Sequence, residues 1–154
     1  MLADELDFVV GVDPHRDSHA FAVVEVRSGA VAFEASVDAD TSGYVETLRS
    51  AVEHAPGRRA FAIEGVGSFG AGLGRFLVEH GERVYDVGRI RREHRSSGKT
   101  DALDAVRAAR SVLVQKRPTI PRSNGDREAL RALMAAREGA VIASRRASVS
   151  SVIC

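Results

Sequence analysis

The chain contains Phe8-Val9-Val10-Gly11-Val12-Asp13-Pro14 near its amino terminus, and this stretch decides the fold. Its valines are β-branched and follow one another without polar interruption, which is typical of a buried strand. Because the apolar run stops at Asp13-Pro14, we expect the strand to end in an acidic side chain. The sequence therefore predicts a central strand that carries Asp13 at its carboxyl end.

Two further strand-like runs follow, over residues 20–26 and 31–35. Arg27-Ser28-Gly29 lies between them and predicts a tight turn, since glycine adopts the positive φ that such turns need. We therefore expect the first three strands to form an antiparallel meander. Apolar residues at helical spacing then run from Thr41-Ser42, the expected N-cap, to Pro56-Gly57 and predict a crossover helix.

The next part of the chain alternates strands and helices as far as about residue 116. A fourth apolar strand ends at Glu64, and a glycine-rich turn and a helix separate it from a fifth strand over residues 83–87. Residues 89–99 are polar and basic without apolar periodicity, so we expect a loop there. From Asp101 onward the sequence strongly favours a helix, on which Asp101 and Asp104 are neighbours because they are three residues apart.

This order of elements, βββαβαβα, resembles the ribonuclease H-like fold, so we expect a mixed five-stranded sheet with flanking helices. Acids end the first and fourth strands and occupy the last helix. Two magnesium ions about 3.5–4 Å apart need several oxygen ligands and stabilise both the attacking and the leaving oxygen of a phosphodiester displacement. The candidate catalytic residues and metal ligands are therefore Asp13, Glu64, Asp101 and Asp104.

Three short strings resemble the signature blocks of the DEDD transposases: Gly11-Val12-Asp13-Pro14-His15-Arg16-Asp17-Ser18-His19, Ile63-Glu64-Gly65-Val66-Gly67 and Lys99-Thr100-Asp101-Ala102-Leu103-Asp104-Ala105. That family belongs to insertion sequences whose recombinases are guided by a bridge RNA. The resemblance implies a RuvC-like catalytic domain over residues 1–117, in which the four acids hold Mg²⁺ beside the scissile phosphate of DNA. Mn²⁺ is expected to substitute for Mg²⁺, and the implied partners are donor DNA, target DNA and the guide RNA.

Two features depart from the family pattern. Pro14-His15 follows the first acid, where family members often have a small or hydroxyl residue and then Ser-Lys, and Arg16 is the expected stand-in for that lysine. The family also has a carboxyl-terminal domain that contributes a serine nucleophile, and we expect that domain to be absent from this sequence. The chain is thus expected to be the amino-terminal part of a DNA transposase or recombinase and to be inactive by itself.

Local charge, rather than net charge, points to nucleic acid. The formal net charge is only +1 at pH 7, but basic residues crowd the segment before the last predicted helix. A basic loop beside an acidic metal site can hold a phosphate backbone in register. The expected nucleic-acid contacts are His15, Arg16, Arg89, Arg91, Arg92, Arg95 and Lys99.

The remaining composition limits the class of protein. With 154 residues and 44% apolar content, the chain suits one domain with a proper core. It contains neither a signal-like amino terminus nor a run of about 18 apolar residues, so we expect a cytoplasmic protein without membrane contact. Its single cysteine, Cys154, excludes an internal disulfide and a cysteine-based zinc site.

Residues 118–154 predict a linker followed by the start of a helical segment. Pro118 and Pro121 mark the linker, and the apolar stripe after it is too interrupted for a clean heptad repeat. The pattern favours a helix packed on its own domain, whereas the resemblance implies a coiled coil that dimerises. We expect a homo-oligomer formed through this segment.

Other functions remain as alternatives. Gly65, Gly67 and Gly70 match the dinucleotide-binding pattern after a strand, but Glu64 would repel a pyrophosphate and the upstream meander does not suit a Rossmann-like domain. Sugar kinases and actin-like ATPases share the fold, but their phosphate-binding turn is rich in glycine and threonine. A non-catalytic nucleic-acid-binding module of the same fold is a further alternative.

A histidine metal site is also conceivable, since His15 and His19 alternate with Asp13 and Asp17. These residues lie at a strand end and turn rather than on a helix, where four-residue spacing would make them converge. We therefore expect both histidines to face solvent or substrate, with His15 placed to touch a phosphate or to carry a proton.

Overall fold

A computed structural model describes residues 1–88, 101–121, 133–134, 136–137 and 141 of this chain. The chain divides into two units, Met1–Pro121 and Arg122–Cys154. In the second unit the described residues are helical, and Leu133 and Met134 are exposed. The predicted basic loop over residues 89–99 and most of the predicted terminal helical segment lie outside the described residues.

The first unit contains a five-stranded sheet with helices on both faces. None of the described helices is long and apolar enough to cross a membrane. In chain order the elements are α1 (Leu2–Glu5), β1 (Phe8–Pro14), β2 (Ser18–Glu25), β3 (Val31–Asp38), α2 (Thr41–His54), β4 (Arg59–Glu64), α3 (Ala71–Glu79), β5 (Val84–Val87) and α4 (Asp101–Val114).

The sheet has the strand order β3-β2-β1-β4-β5. The first three strands pair antiparallel, and β1, β4 and β5 pair parallel. This arrangement confirms the predicted mixed sheet with its three-strand meander. It also makes β1 the central strand, so that both of its edges are hydrogen-bonded to neighbours.

Some element boundaries differ from those predicted. Strand β3 extends to Asp38, α4 ends at Val114, and the short helix α1 was not predicted. The predicted N-cap of α2 was one residue too late: Asp40 is the cap, and its Oδ1 accepts a hydrogen bond of 2.8 Å from the Gly43 amide. The physical reason is that the Asp40 carboxylate already satisfies an amide in the first helical turn.

The two faces of the sheet carry apolar layers of different side-chain size. The face toward α4, which we call the α4 face, is rich in alanine, whereas the face toward α2 and α3 carries bulkier side chains. Small side chains let a helix axis approach a sheet closely. The α4 layer includes Val9, Ala22, Ala60, Ala62, Ala105, Ala108 and Ala109. The opposite layer includes Phe21, Phe61, Ile63, Leu73 and Leu77.

The closest approach between α4 and the sheet occurs at Gly11 of β1. A Cβ atom placed on Gly11 would lie 1.9 Å from the Ala105 carbonyl oxygen and 2.7 Å from the Ala109 amide nitrogen. Both neighbours are backbone atoms of α4, so neither can be moved by a change of rotamer. Only glycine allows the helix backbone to lie directly on β1 at this point.

An ion pair between Asp7 and Arg58 connects the chain segments that precede β1 and β4. The Arg58 Nη2 donates to Asp7 Oδ1 at 2.9 Å, and the Arg58 amide donates to Asp7 Oδ2 at 2.9 Å. These hydrogen bonds to Arg58 lower the pKa of Asp7 to about 2. Residues far apart in sequence are thereby held at the starting edge of the two parallel strands.

His19, at the start of β2, does not face solvent or substrate as the sequence predicted: it is fully buried, because its side chain points to the apolar face under α2. Its ring stacks on Tyr44 of α2 with centroids 5.8 Å apart, and its Nδ1 lies 3.0 Å from the Ser18 carbonyl oxygen. Within the part of the chain that the structure describes, Nε2 has no hydrogen-bond partner. Burial lowers the pKa of His19, because the charged imidazolium would lose its hydration there.

We predict that Gly11→Ala strongly destabilises the fold, because the added methyl group would overlap the α4 backbone. The expected loss in the free energy of unfolding is at the upper end of the about 1–3 kcal/mol that overpacking costs. Urea denaturation followed by circular dichroism measures this loss. The matched control is Gly88→Ala, where a Cβ would meet nothing within 4 Å. Equal stability of the two variants would contradict the close approach.

We predict that stability falls as the pH drops below about 6.5, the ordinary pKa of histidine. Because the folded-state pKa of His19 is lowered, the unfolded chain binds a proton first, and the slope is at most about 1.4 kcal/mol per pH unit for this group. The contribution of His19 to the free energy of unfolding is fully present above about pH 6.5 and is lost as the pH falls through the folded-state pKa of His19.

The measurement compares urea midpoints at pH 7.5 and pH 5.5 in wild type and in His19→Phe, which keeps a ring against Tyr44. The variant should show a smaller difference between the two midpoints. The control is His80→Gln, since His80 is exposed and keeps most of its hydration on folding. An undiminished pH dependence in His19→Phe would disprove the prediction.

Candidate metal centre

Two of the predicted acids lie at the carboxyl ends of β1 and β4, on the same edge of the sheet. The strands are parallel neighbours, and Val12 is the register partner of Ile63. One residue further along, Asp13 follows on β1 and Glu64 on β4. Because paired strands lie about 4.8 Å apart, these two acids are adjacent at this edge of the sheet.

Both acids belong to the α4 face of the sheet. Val9 and Ala60 are register partners, and both pack in the alanine-rich layer under α4. Side chains alternate between the two faces along a strand. Asp13 is four residues after Val9, and Glu64 is four residues after Ala60, so the alternation assigns both acids to this face.

The first turn of α4 adds Asp101. The backbone of Ala105 lies against Gly11, and Asp101 precedes Ala105 by about one helical turn. Asp13 lies beyond Gly11 at the carboxyl end of β1. The packing of α4 on Gly11 therefore places Asp101 near Asp13. The positive end of the α4 dipole also stabilises a carboxylate in its first turn.

Asp13, His15 and Asp101 form a compact group. His15 Nε2 lies 3.3 Å from Asp101 Oδ1 and 3.6 Å from Asp13 Oδ2, and one ligand atom from each residue lies within 4.8 Å of the other two. The exposed fraction of the side chain rises from 11% for Asp13 to 39% for His15 and 64% for Asp101. The group therefore opens from the sheet toward solvent.

The electrostatics of this group favour a cation. Two carboxylates held so close repel each other, and the repulsion grows where one of them is buried and poorly solvated. Asp13 is the buried partner, with only 8% of the residue exposed. Oxygen and imidazole nitrogen atoms at these separations are a donor set that fits a divalent metal ion.

Glu64 and Asp104 lie outside this compact group, as far as the described residues are concerned. Glu64 is partly buried at the end of β4, and Asp104 is on α4 one turn from Asp101. The Asp104 Oδ1 accepts a hydrogen bond of 2.9 Å from Arg107. The role of all four acids as metal ligands stays a prediction.

His15 and Arg16, both predicted to contact nucleic acid, have different surroundings. The His15 amide donates to the Ser18 carbonyl at 2.8 Å, which closes the turn between β1 and β2 and holds the ring near Asp13. Arg16 instead donates three hydrogen bonds of 3.0–3.2 Å to its neighbour Asp17. In the sequence, a histidine two residues after an acid that ends a strand can indicate this geometry, provided that a tight turn follows the strand.

The glycine-rich turn after β4 has a structural explanation. Gly65 has φ 64°, and a Cβ on Gly70 would lie 2.7 Å from Ile63 Cγ2 and 3.1 Å from Pro14 Cγ. The dinucleotide-binding pattern also has an acid about 20 residues further on, which binds the ribose. Asp86 lies at that interval, but it accepts a hydrogen bond from the Val66 amide at 3.3 Å. Together with the antiparallel meander, these contacts account for Gly65 and Gly70 without a bound dinucleotide.

Several solved structures are similar to this chain. Thermus thermophilus RuvC in complex with a Holliday junction substrate is 16% identical, with a TM-score of 0.51 over 69% of this chain and 92% of that chain. A second Thermus thermophilus RuvC structure is also 16% identical, with a TM-score of 0.47 over 69% and 93%. A Ppx/GppA family member from Aquifex aeolicus is 12% identical, with a TM-score of 0.34 over 55% and 36%.

At this identity, the likeness to the RuvC complex supports the fold alone, and it confirms the predicted ribonuclease H-like, RuvC-type fold. No curated protein matches the chain.

A family comparison covers nearly the whole sequence. The family model for DEDD transposases of the IS110 type, described as a transposase, matches residues 10–150. This range includes all three of the signature blocks found in the sequence. The chain therefore belongs to the IS110-type DEDD transposase family.

Proposed function

We propose that this chain is the metal-binding catalytic domain of a transposase that cleaves and rejoins donor and target DNA under the guidance of a bridge RNA. The observation that carries the proposal is the convergence of Asp13 from β1 and Asp101 from α4. Glu64 supports it further, because it directly follows Ile63, the register partner of Val12. Membership of the DEDD transposase family makes DNA the expected substrate.

The residues fit a divalent cation such as Mg²⁺, for which Mn²⁺ would substitute. Carboxylate oxygens are the hard ligands that both ions accept. When bound, such ions stabilise the attacking and leaving oxygens of a phosphodiester displacement. The residues proposed to hold them are Asp13, Glu64, Asp101 and Asp104.

These acids would have different roles, because their surroundings differ. Asp13 is buried on the central strand, which fixes the position of its carboxylate. Asp101 is mostly exposed and would face the incoming nucleic acid. Arg107 holds the Asp104 carboxylate by an ion pair on the helix surface and so orients it.

The basic residues of the 89–99 segment would bind the phosphate backbone. They directly precede α4 in sequence, and Lys99 is two residues before Asp101. The guide RNA and self-association through the terminal helical segment rest on the family alone. A serine from the family's carboxyl-terminal domain would supply the nucleophile.

We predict that Asp13→Asn removes metal binding while leaving the fold intact. The amide has the same shape but lacks the charge, and losing a direct ligand should cost more than the about 10–100-fold that outer-shell changes cost. Isothermal titration of the chain with Mn²⁺ measures the change, and thermal unfolding checks the fold.

The matched control for this experiment is Asp17→Asn. Asp17 is four residues away, exposed and paired with Arg16, so its amide variant should bind Mn²⁺ as the wild type does. Wild-type affinity in Asp13→Asn would disprove the proposed metal site.

We predict that Arg91→Ala and Arg92→Ala each weaken DNA binding without regard to sequence. Each lost phosphate contact should reduce the slope of log K against log salt by about 1. Fluorescence anisotropy with a labelled duplex at several salt concentrations measures the slope. Arg49→Ala on α2 is the control, because Arg49 pairs with Glu46 on that helix. An unchanged slope in both test variants would exclude the segment as a phosphate contact.

A further inference from the structure

The ring of His15 occupies a place between β1 and α4 that phosphate contact alone does not explain. Its Nε2 faces a carboxylate oxygen on each side, Asp13 Oδ2 at 3.6 Å and Asp101 Oδ1 at 3.3 Å. A residue that only touched the nucleic-acid backbone would be expected to extend outward. More than half of the His15 side chain is instead covered.

The backbone holds this ring in place. β1 continues through Pro14, whose register partner on β2 is His19, and the His15 amide then donates to the Ser18 carbonyl. The ring therefore leaves from a short turn that is anchored on both sides by the central strand pair. Such a preorganised donor is what a metal ligand needs.

The separations suit ligands around one ion. Bonds of about 2.1 Å to a six-coordinate ion place adjacent ligand atoms roughly 3 Å apart and opposite ones roughly 4.2 Å apart. The two His15 distances, 3.6 Å and 3.3 Å, lie within this range. A direct charge-assisted hydrogen bond between histidine and carboxylate would be shorter, at about 2.7–2.9 Å.

We propose that His15 is a metal ligand through Nε2, so that the site between Asp13 and Asp101 holds its ion by one nitrogen and two oxygens. The inference rests on the proposed function, since it concerns the same metal site. An imidazole nitrogen strengthens binding of transition metals more than binding of Mg²⁺. His15 therefore sets a preference for Mn²⁺ over Mg²⁺ at this position.

The direct test is pulsed electron paramagnetic resonance of Mn²⁺ bound to the chain with ¹⁵N-labelled histidine. A nitrogen bonded to the ion gives a hyperfine coupling that an uncoordinated ring does not give. The coupling is expected in wild type and in His19→Phe, because His19 lies under α2 on the opposite face. It is expected to disappear in His15→Ala and in His15→Gln.

Titration calorimetry adds a second readout for the same variants. In His15→Ala the affinity for Mn²⁺ should fall by at least about tenfold, which is the change expected when a metal ligand or a residue that supports one is lost. The affinity for Mg²⁺ should change much less. Thermal unfolding shows whether each variant is folded. The hyperfine coupling in the wild type is measured without any variant, so it tests the proposal even where a variant does not fold.

The outcomes separate this inference from the proposed function. Mn²⁺ that binds the wild type without a histidine coupling would overturn the role of His15 and leave the carboxylate site standing. Equal loss of Mn²⁺ and Mg²⁺ affinity in His15→Ala would overturn the metal preference. A wild-type chain that binds neither ion would overturn the proposed function and the inference together.

Discussion

The contact between Gly11 and the backbone of α4 is the constraint on which the candidate site depends. A helix can lie this close to a strand only where the strand has no side chain, and a Cβ here would overlap the Ala105 carbonyl. Alanines on both surfaces extend the close contact along the helix. This packing brings the first turn of α4 to the end of β1, and Asp101 reaches Asp13 as a result.

The central strand β1 connects the stability of the domain with its proposed chemistry. At its start, Asp7 binds Arg58 and aligns β1 with β4. At its end, the same alignment places Asp13 beside Glu64. Asp13 therefore lies on an interior strand whose two edges are both hydrogen-bonded. The more exposed residues of the site come from the turn and the helix that surround it.

Prediction from the sequence succeeded where the determining pattern is local. An apolar run that ends in an acid marked Asp13 and Glu64, because strand ends can be recognised from neighbouring residues. The meander was also predictable, since Gly29 supplies a turn between two strand-like runs. The cap of α2 was misplaced by one residue, because Asp40 and Thr41 are both acceptable N-caps and local preference alone does not choose between them.

The sequence by itself determined the order of the five strands and of helices α2 to α4, the acids at the strand ends and the family to which the chain belongs. Each of these follows from residue types and short-range spacing. Only the tertiary structure decided that His15 joins Asp13 and Asp101 in one group. The reason is that the position of a side chain after a strand depends on the turn that follows and on the helix packed against it. The contacts with α4 join residues far apart in sequence, so no local pattern contains them.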